Sequence, residues 1–175
     1  MPQTLFSLLA IMLLGLFSLQ ANRSMFGNEQ KMILNEVATQ ATGVGIELLE
    51  EIGSYPYDPA TLGVVLEDSE KGLLAETFCN GTCACDPDSP FYNGCLVIND
   101  FDGKTATRVR DDLTYSVDID VVYVSESDPS VTSSLPTFSK RVDLKITSPL
   151  LYMGSPDNPL TFRMSRVYTH PTVTG

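Results

Sequence analysis

The chain has 175 residues, enough for one domain of ordinary size and an appendage, and 43% of them are apolar, which predicts a packed core. Its formal net charge of −11 excludes binding to nucleic acid through phosphates, because that binding requires clustered Lys and Arg. The acidic surface also repels anionic lipid headgroups, so attachment to a membrane would need an apolar segment rather than a basic patch.

An almost uninterrupted apolar run from Leu5 to Leu19 opens the chain. It predicts a helix of about 16 residues and about 24 Å, slightly short for a hydrocarbon core of about 30 Å. A removed signal peptide is disfavoured, because no Lys or Arg precedes Arg23 and "SLQA" is a poor cleavage site. We therefore expect this helix to be present in the mature protein.

A second helical pattern follows the apolar run. Gly53 is expected to end this helix, and Pro56 prevents its continuation. Because no proline lies between Pro2 and Pro56, a single helix of about 50 residues can contain both patterns, with bending or local melting expected near Gly27 and a second weak point at Gly15. Apolar residues that recur every three or four positions define its buried stripe: Ile33, Val37, Ala41, Val44, Leu48 and Ile52.

All four cysteines lie in one short stretch, "CNGTCACDPDSPFYNGC", as Cys79, Cys83, Cys85 and Cys95. Their even number predicts two disulfides and hence an oxidising compartment outside the cytoplasm. A zinc site is the alternative, but the spacing lacks the paired C-x2-C elements that usually build one. Of the three connectivities, the one that joins Cys83 to Cys85 is disfavoured because it closes the smallest ring, and the other two stay open. The sequon at Asn80 is a potential glycan acceptor.

The second half of the chain alternates apolar and polar residues. The stretches "TYSVDIDVVYV", "RVDLKIT" and "LTFRMSR" predict three half-buried antiparallel strands, and a shorter strand is expected at Cys95–Ile98. The Ser-, Pro- and Asp-rich linkers Ser125–Phe138 and Ser148–Pro159 are predicted to be exposed loops.

Few side chains point to catalysis. The only histidine, His170, is expected to be a solvated terminal residue, and Asp118 and Asp120 are expected on the solvated face of a strand. Asp100 and Asp102 form either a loose calcium site or a tight turn, with the turn favoured. We therefore expect no enzymatic activity, no cofactor and no metal site.

These patterns predict an α+β fold in which a long N-terminal helix, half apolar and half amphipathic, packs on a small antiparallel sheet. The expected organisation is an apolar helix over 1–28 and a globular head over 29–175. Within the head we expect the amphipathic helix at 29–53, the disulfide loop region at 54–112 and the sheet at 113–175.

This arrangement resembles a type IV pilin or pseudopilin, and residues 1 to about 52 carry the resemblance. It implies a pilin-like fold and a structural subunit of an extracellular filament at the cell surface. Such a subunit waits in the cytoplasmic (inner) membrane and is polymerised with identical copies by the pilus assembly machinery. The residues that the resemblance assigns to the assembly helix are Leu5, Leu8, Leu9, Ile11, Met12, Leu13, Leu16, Phe17 and Leu19.

The resemblance also implies that a peptidase removes a basic leader and that the new N-terminal residue, Met1, is methylated. Charge supports a removed leader, because Arg23 and Lys31 alone would hold the cysteine region in the cytoplasm. The family's usual acidic residue near the mature N terminus is replaced here by Gln3 and Leu5, and Gly27 is the nearest substitute for its helix-breaking proline.

Two other functions stay open. A binding module tethered to the membrane by one short helix explains the apolar run equally well. It gives no reason for the unbroken helical pattern through Ile52, because a tether is more often followed by a flexible linker. A secreted hydrolase is the third possibility, and its only candidate catalytic residues are Asp118, Asp120 and His170.

Overall fold

The computed structural model describes residues 2–63, 65–75, 84–88, 94–152 and 159–170. The fold is α+β, and it divides between Thr39 and Gln40 into two compact units. Among the described residues between the long helix and the first strand, 3-10 helices lie at Pro59–Thr61, Asp68–Leu73 and Ile98–Phe101. The helix and the strands are α1 (Pro2–Gly53), β1 (Thr105–Arg110), β2 (Leu113–Tyr123), β3 (Ser139–Tyr152) and β4 (Pro159–Thr169).

The predicted single helix is confirmed. Helical geometry continues through Gly15 and Gly27, and the flexibility expected at those residues stays a prediction. Ile33 is exposed, so its assignment to the buried stripe is wrong, whereas the stripe from Val37 to Ile52 is buried as expected. The helix ends at Gly53, where the Ser54 hydroxyl donates to the Glu51 carbonyl at 2.6 Å.

The four strands form one antiparallel sheet in the order β1-β2-β3-β4. The three strands predicted from alternation are confirmed as β2, β3 and β4. Asp111 and Asp112 both have positive φ and form the turn of the β1–β2 hairpin. Alternate residues of β2 are buried, with apolar side chains on one face and Asp118 and Asp120 on the other.

The strand predicted at Cys95–Ile98 is wrong. The Asp100 carboxylate accepts hydrogen bonds from the amides of Leu96 at 2.8 Å and Val97 at 3.1 Å, and the Ile98 amide donates to the Pro56 carbonyl at 3.1 Å. These amides are therefore not available for a strand ladder, and a 3-10 helix begins at Ile98 instead.

Two segments expected to be loops contain strand residues. β1 lies within 54–112, where a loop region was predicted. The sequence did not indicate this strand, because Ala106 is its only buried residue and the strand shows no apolar alternation. β3 continues past Thr147 to Tyr152 through a register shift, and β4 begins at Pro159. The linker between them is thus shorter than Ser148–Pro159. The segment 125–138 is irregular, as predicted.

The core of the second unit lies between the last four turns of α1 and the inner face of the sheet. The Tyr115 hydroxyl donates to the Gln40 side-chain carbonyl at 3.0 Å, and the Tyr168 hydroxyl donates to the Leu49 carbonyl. A β-carbon added at Gly45 would lie 2.8 Å from Ile146 Cδ1, so glycine permits the close approach of helix and sheet there.

Candidate functional site

The most distinctive surface of the first unit is an apolar segment of α1, which we call the apolar segment, residues 6–25. Its large apolar side chains are between 48% and 75% exposed. They occur at consecutive positions as well as at helical spacing, so they surround the helix rather than forming one stripe. The exposed members are Phe6, Leu8, Leu9, Ile11, Met12, Leu13, Leu14, Leu16, Phe17, Leu19 and Met25.

The structure places the predicted assembly residues from Leu8 to Leu19 on this segment, and Leu5 lies in the same helix. Phe6–Met25 is a 20-residue stretch with a mean hydropathy of 1.4, long and apolar enough to cross a bilayer. At 1.5 Å per residue it is about 30 Å long, which matches a hydrocarbon core. A signal sequence near an N terminus has the same properties. Met1 lies outside the described residues.

The cysteine region contains a disulfide between Cys85 and Cys95, whose Cα atoms are 4.4 Å apart. This pairing excludes Cys79–Cys85 and Cys83–Cys95, and of the two connectivities left open it selects the one that would pair Cys79 with Cys83. Cys79, Asn80 and Cys83 lie outside the described residues. Glycine is required at position 94, because φ is +83° and an added β-carbon would lie 2.5 Å from the Ala84 carbonyl oxygen.

Asp118 and Asp120 lie on the outer, solvent-facing side of the sheet, as predicted. The Asp118 carboxylate accepts hydrogen bonds from the Thr105 hydroxyl at 3.0 Å and from Lys145 Nζ at 3.3 Å. Asp120 faces Asp143 across the β2–β3 pair and shares a hydrogen bond with Asp102. Partial burial, followed by the charges of Asp102 and Asp143, raises the pKa of Asp120.

The carboxylates of Asp100 and Asp102 both accept hydrogen bonds from backbone amides. The Asp100 carboxylate binds the two amides described above, and the Asp102 carboxylate accepts from the Val121 amide at 2.9 Å. The predicted turn at Asp102 is confirmed, with Gly103 at a φ of +69°. Among the described residues, no group of three His, Cys, Asp or Glu side chains could hold a metal ion.

The expectation of a solvated His170 is wrong. Its imidazole ring lies 5.7 Å from the ring of Tyr57 and 5.9 Å from that of Phe138, centroid to centroid. Its Nδ1 atom is buried and has no hydrogen-bond partner in the described part of the chain. Its amide donates to the Phe138 carbonyl at 2.9 Å, which fixes the end of β4 to the start of β3.

Sequence reasoning missed a buried polar group, which we call the Asp58 cluster: Asp58, Asn99, Tyr123 and Lys140. Lys140 Nζ donates to Asp58 Oδ2 at 3.0 Å and to the Tyr57 carbonyl at 2.6 Å. Asn99 Nδ2 and the Tyr123 hydroxyl each donate to the same Oδ2 at 3.2 Å. The exposed fractions are 0% for Lys140, 1% for Asp58 and 3% for Asn99. A charged pair is therefore enclosed in the second unit.

Local structure explains how the cluster is positioned. Asp58 is the N-cap of the 3-10 helix Pro59–Thr61, and its carboxylate also accepts from the amides of Ala60 and Ala75. Lys140 occupies an inward position of β3, in register with Tyr123 of β2. The alternation of β3 places Lys140 on the same face as Val142, so the sequence did contain a sign that this lysine is buried. A lysine near the start of a strand is, however, usually taken as exposed.

The surroundings shift the titration of the cluster. Burial lowers the pKa of Lys140 to about 8, opposed by the charge of Asp58. Burial alone would raise the pKa of Asp58, but the charge and hydrogen bond of Lys140 and the amides of Ala60 and Ala75 bring it below its usual range. Asp58 is thus ionised at neutral pH, whereas the ammonium of Lys140 gives up its proton more easily than that of an exposed lysine.

Comparisons with protein-family models, with curated proteins and with solved structures found no match. The resemblance to type IV pilins therefore rests on the pattern of the residues themselves.

Peptide mapping tests the pairing of the cysteines. A non-reduced digest is expected to contain a peptide in which Cys85 is joined to Cys95. Because only Ala84 separates Cys83 from Cys85, the assignment needs fragment ions that break the chain at Ala84. A Cys83–Cys95 or Cys79–Cys85 linkage would contradict the structure.

The raised pKa of Asp120 predicts a pH-dependent effect on stability. Native Asp120 holds its proton more tightly than the unfolded chain does, so its contribution to stability is fully present below the ordinary carboxyl pKa and is lost as pH rises through the raised value. Asp120→Asn removes the repulsion with Asp102 and Asp143. It should therefore unfold at a higher urea concentration than the parent at about pH 7, and this difference should vanish at about pH 3.

Asp118→Asn is the matched control, because it lies two residues away on the same face, where it removes an exposed ion pair with Lys145 and keeps an oxygen that can accept from the Thr105 hydroxyl. It is expected to show no gain at neutral pH. Equal behaviour of the two variants across the pH range would refute the repulsion assigned to Asp120.

Proposed function

We propose that this chain is a structural subunit of an extracellular, type IV pilus-like filament, assembled through the apolar segment of α1. The observation that carries the proposal is the exposure of apolar side chains on every side of that segment. A helix that is apolar all round is stable only when it is covered on all sides.

Each large apolar side chain left in water costs about 1.5–3 kcal/mol relative to burial, and the apolar segment carries many of them. A bilayer covers such a helix completely before assembly. Outside the membrane, helices of several neighbouring copies are needed to cover it, and a head-to-tail contact that does not close on itself generates a filament.

Two further observations support a filament subunit. α1 has no interruption between Pro2 and Gly53, whereas a simple membrane tether is more often followed by a flexible linker. The Cys85–Cys95 disulfide fits an oxidising compartment outside the cytoplasm. Together they favour a secreted assembly in which the second unit is displayed outside the membrane.

The alternative function is a binding module held at the membrane by a single N-terminal helix. The length of Phe6–Met25 favours it, because the stretch matches the thickness of a bilayer. The two functions differ in where the apolar segment ends up: against lipid in the module, and against other copies of the chain in the filament.

A charge placed in the apolar segment tests the proposal. Leu14→Glu is expected to abolish filaments in material sheared from the surface of cells that produce the chain, because the carboxylate would be buried among apolar helices. Leu135→Glu is the matched control, since both leucines are 71% exposed but Leu135 lies in the loop after β2. Electron microscopy and immunoblotting of the sheared fraction provide the measurement.

A photo-crosslinking amino acid at position 14 separates the two functions. In the filament it should yield dimers and higher multimers of the chain in the sheared fraction, and a methylated Met1 in the same material would indicate prepilin-type processing. Crosslinks to lipid alone, with the chain recovered only from detergent-solubilised membranes, would refute the filament and support the tethered module.

A further inference from the structure

Three reactive groups of different chemistry meet in the Asp58 cluster. They are the amine of Lys140 on β3, the carboxylate of Asp58 and the carboxamide of Asn99 in the 3-10 helix before β1. Lys140 Nζ lies 3.0 Å and Asn99 Nδ2 lies 3.2 Å from the same atom, Asp58 Oδ2. One carboxylate oxygen therefore contacts both a nucleophilic nitrogen and the nitrogen of an amide.

Aromatic rings enclose the amine. Lys140 Nζ lies 4.0 Å from the centroid of the Tyr57 ring and 5.0 Å from that of Tyr123. Leu66, Leu74 and Phe138 complete an apolar cluster around these tyrosines. Burial lowers the pKa of the Lys140 amine to about 8, so removal of its proton costs less than in water.

The carboxamide of Asn99 differs from the carboxylate in its hydrogen bonding. The Asp58 oxygens accept from the amides of Ala60 and Ala75 as well as from the side chains of the cluster. Asn99 Oδ1, in contrast, is buried and has no partner within the described part of the chain. A buried carbonyl without a donor is costly for a purely structural residue. Asn99 Cγ is the electrophile of the cluster, because a neutral carboxamide can be attacked by an amine whereas the ionised Asp58 carboxylate resists attack.

We propose that the chain forms an intramolecular isopeptide bond between Lys140 Nζ and Asn99 Cγ, with Asp58 as the catalytic residue. Asp58 Oδ2 accepts a proton from the Lys140 ammonium, and the neutral amine attacks Asn99 Cγ to form the new C–N bond. The bond from Cγ to Nδ2 then breaks, and Asp58 passes protons to the leaving nitrogen.

The reaction balances without an oxidant, a reductant or a co-reactant. The ammonium of Lys140 and the carboxamide of Asn99 become a secondary amide and one ammonium ion, and Asp58 ends as it began, ionised. Loss of ammonia from the buried site makes the step effectively irreversible. The product joins β3 covalently to the segment before β1, and so closes part of the chain into a ring that resists unfolding.

Mass spectrometry of the full-length protein tests the proposal. Tryptic and Asp-N digests of the reduced chain should contain a branched peptide in which Lys140 is joined to Asn99, with the mass of one ammonia missing. Digestion at the peptide level makes the result independent of processing at the N terminus. Absence of the branched peptide, with unmodified Lys140 and Asn99 peptides recovered in full, would overturn the proposal.

Variants distinguish the Lys140–Asn99 bond from other reactions in which Asn99 loses ammonia. Asn99 precedes Asp100, and ring closure onto the backbone would remove ammonia without involving Lys140. Lys140→Arg must therefore restore the full mass, whereas Lys145→Arg, which changes an exposed lysine of the same strand, must keep the deficit. A deficit that persists in Lys140→Arg would refute the crosslink, as would a branched peptide that contains Asp58 in place of Asn99.

Asn99→Asp gives a second check, which is read from the mass of the branched peptide and not from the stability of the variant. Its reaction with Lys140 would release water instead of ammonia and give a branched peptide with the same mass as that of the parent. Asp58→Asn should abolish or greatly slow the bond in both backgrounds. A branched peptide formed at the parental rate without the Asp58 carboxylate would overturn its catalytic role.

Discussion

The buried carboxylate of Asp58 is the constraint on which the second unit depends. It accepts hydrogen bonds from the backbone of the irregular segment between α1 and β1, and from side chains of β2, β3 and the 3-10 helix at Asn99. A charge enclosed at 1% exposure is tolerated only when its partners are complete, and removal of one partner typically costs about 3–5 kcal/mol. In the described part of the segment between α1 and β1 the regular elements are short 3-10 helices, and the Asp58 carboxylate, rather than a strand ladder, joins this part to the sheet.

The inner face of the sheet therefore packs against two parts of the chain, α1 and the segment that carries Asp58. Its central part packs against the last turns of α1, where Gly45 allows close approach to Ile146. Its far end, at Tyr123 and Lys140, receives the segment that carries Asp58. The outer face stays charged, with Asp118 paired to Lys145. The sheet thus organises the second unit, and the apolar segment belongs to the first unit, where its large side chains are exposed.

Local periodicity was sufficient for α1 and for β2 to β4, because alternation and helical spacing depend only on neighbouring residues. β1 was missed because an edge strand with one buried residue, Ala106, has no such alternation. The apolar segment was predictable for the same local reason. The pairing of Cys85 with Cys95 and the meeting of Asp58 with Lys140 were not, since both depend on which distant segments fold together. Asp58 in "YPYDPAT" has the appearance of an ordinary turn residue in the sequence. Its pairing with the Lys140 ammonium depends on the register of β3, which local sequence does not reveal.

Amide hydrogen exchange tests the role of Asp58 most directly. The amides of Ala60 and Ala75 donate to its carboxylate, so they should exchange as slowly as the amides at the centre of β2 and β3, through global unfolding alone. In Asp58→Ala both should exchange faster while the β2–β3 amides keep their order. Rapid exchange of Ala60 and Ala75 in the parent chain, unchanged by the substitution, would contradict the account and show that the segment is held by other contacts.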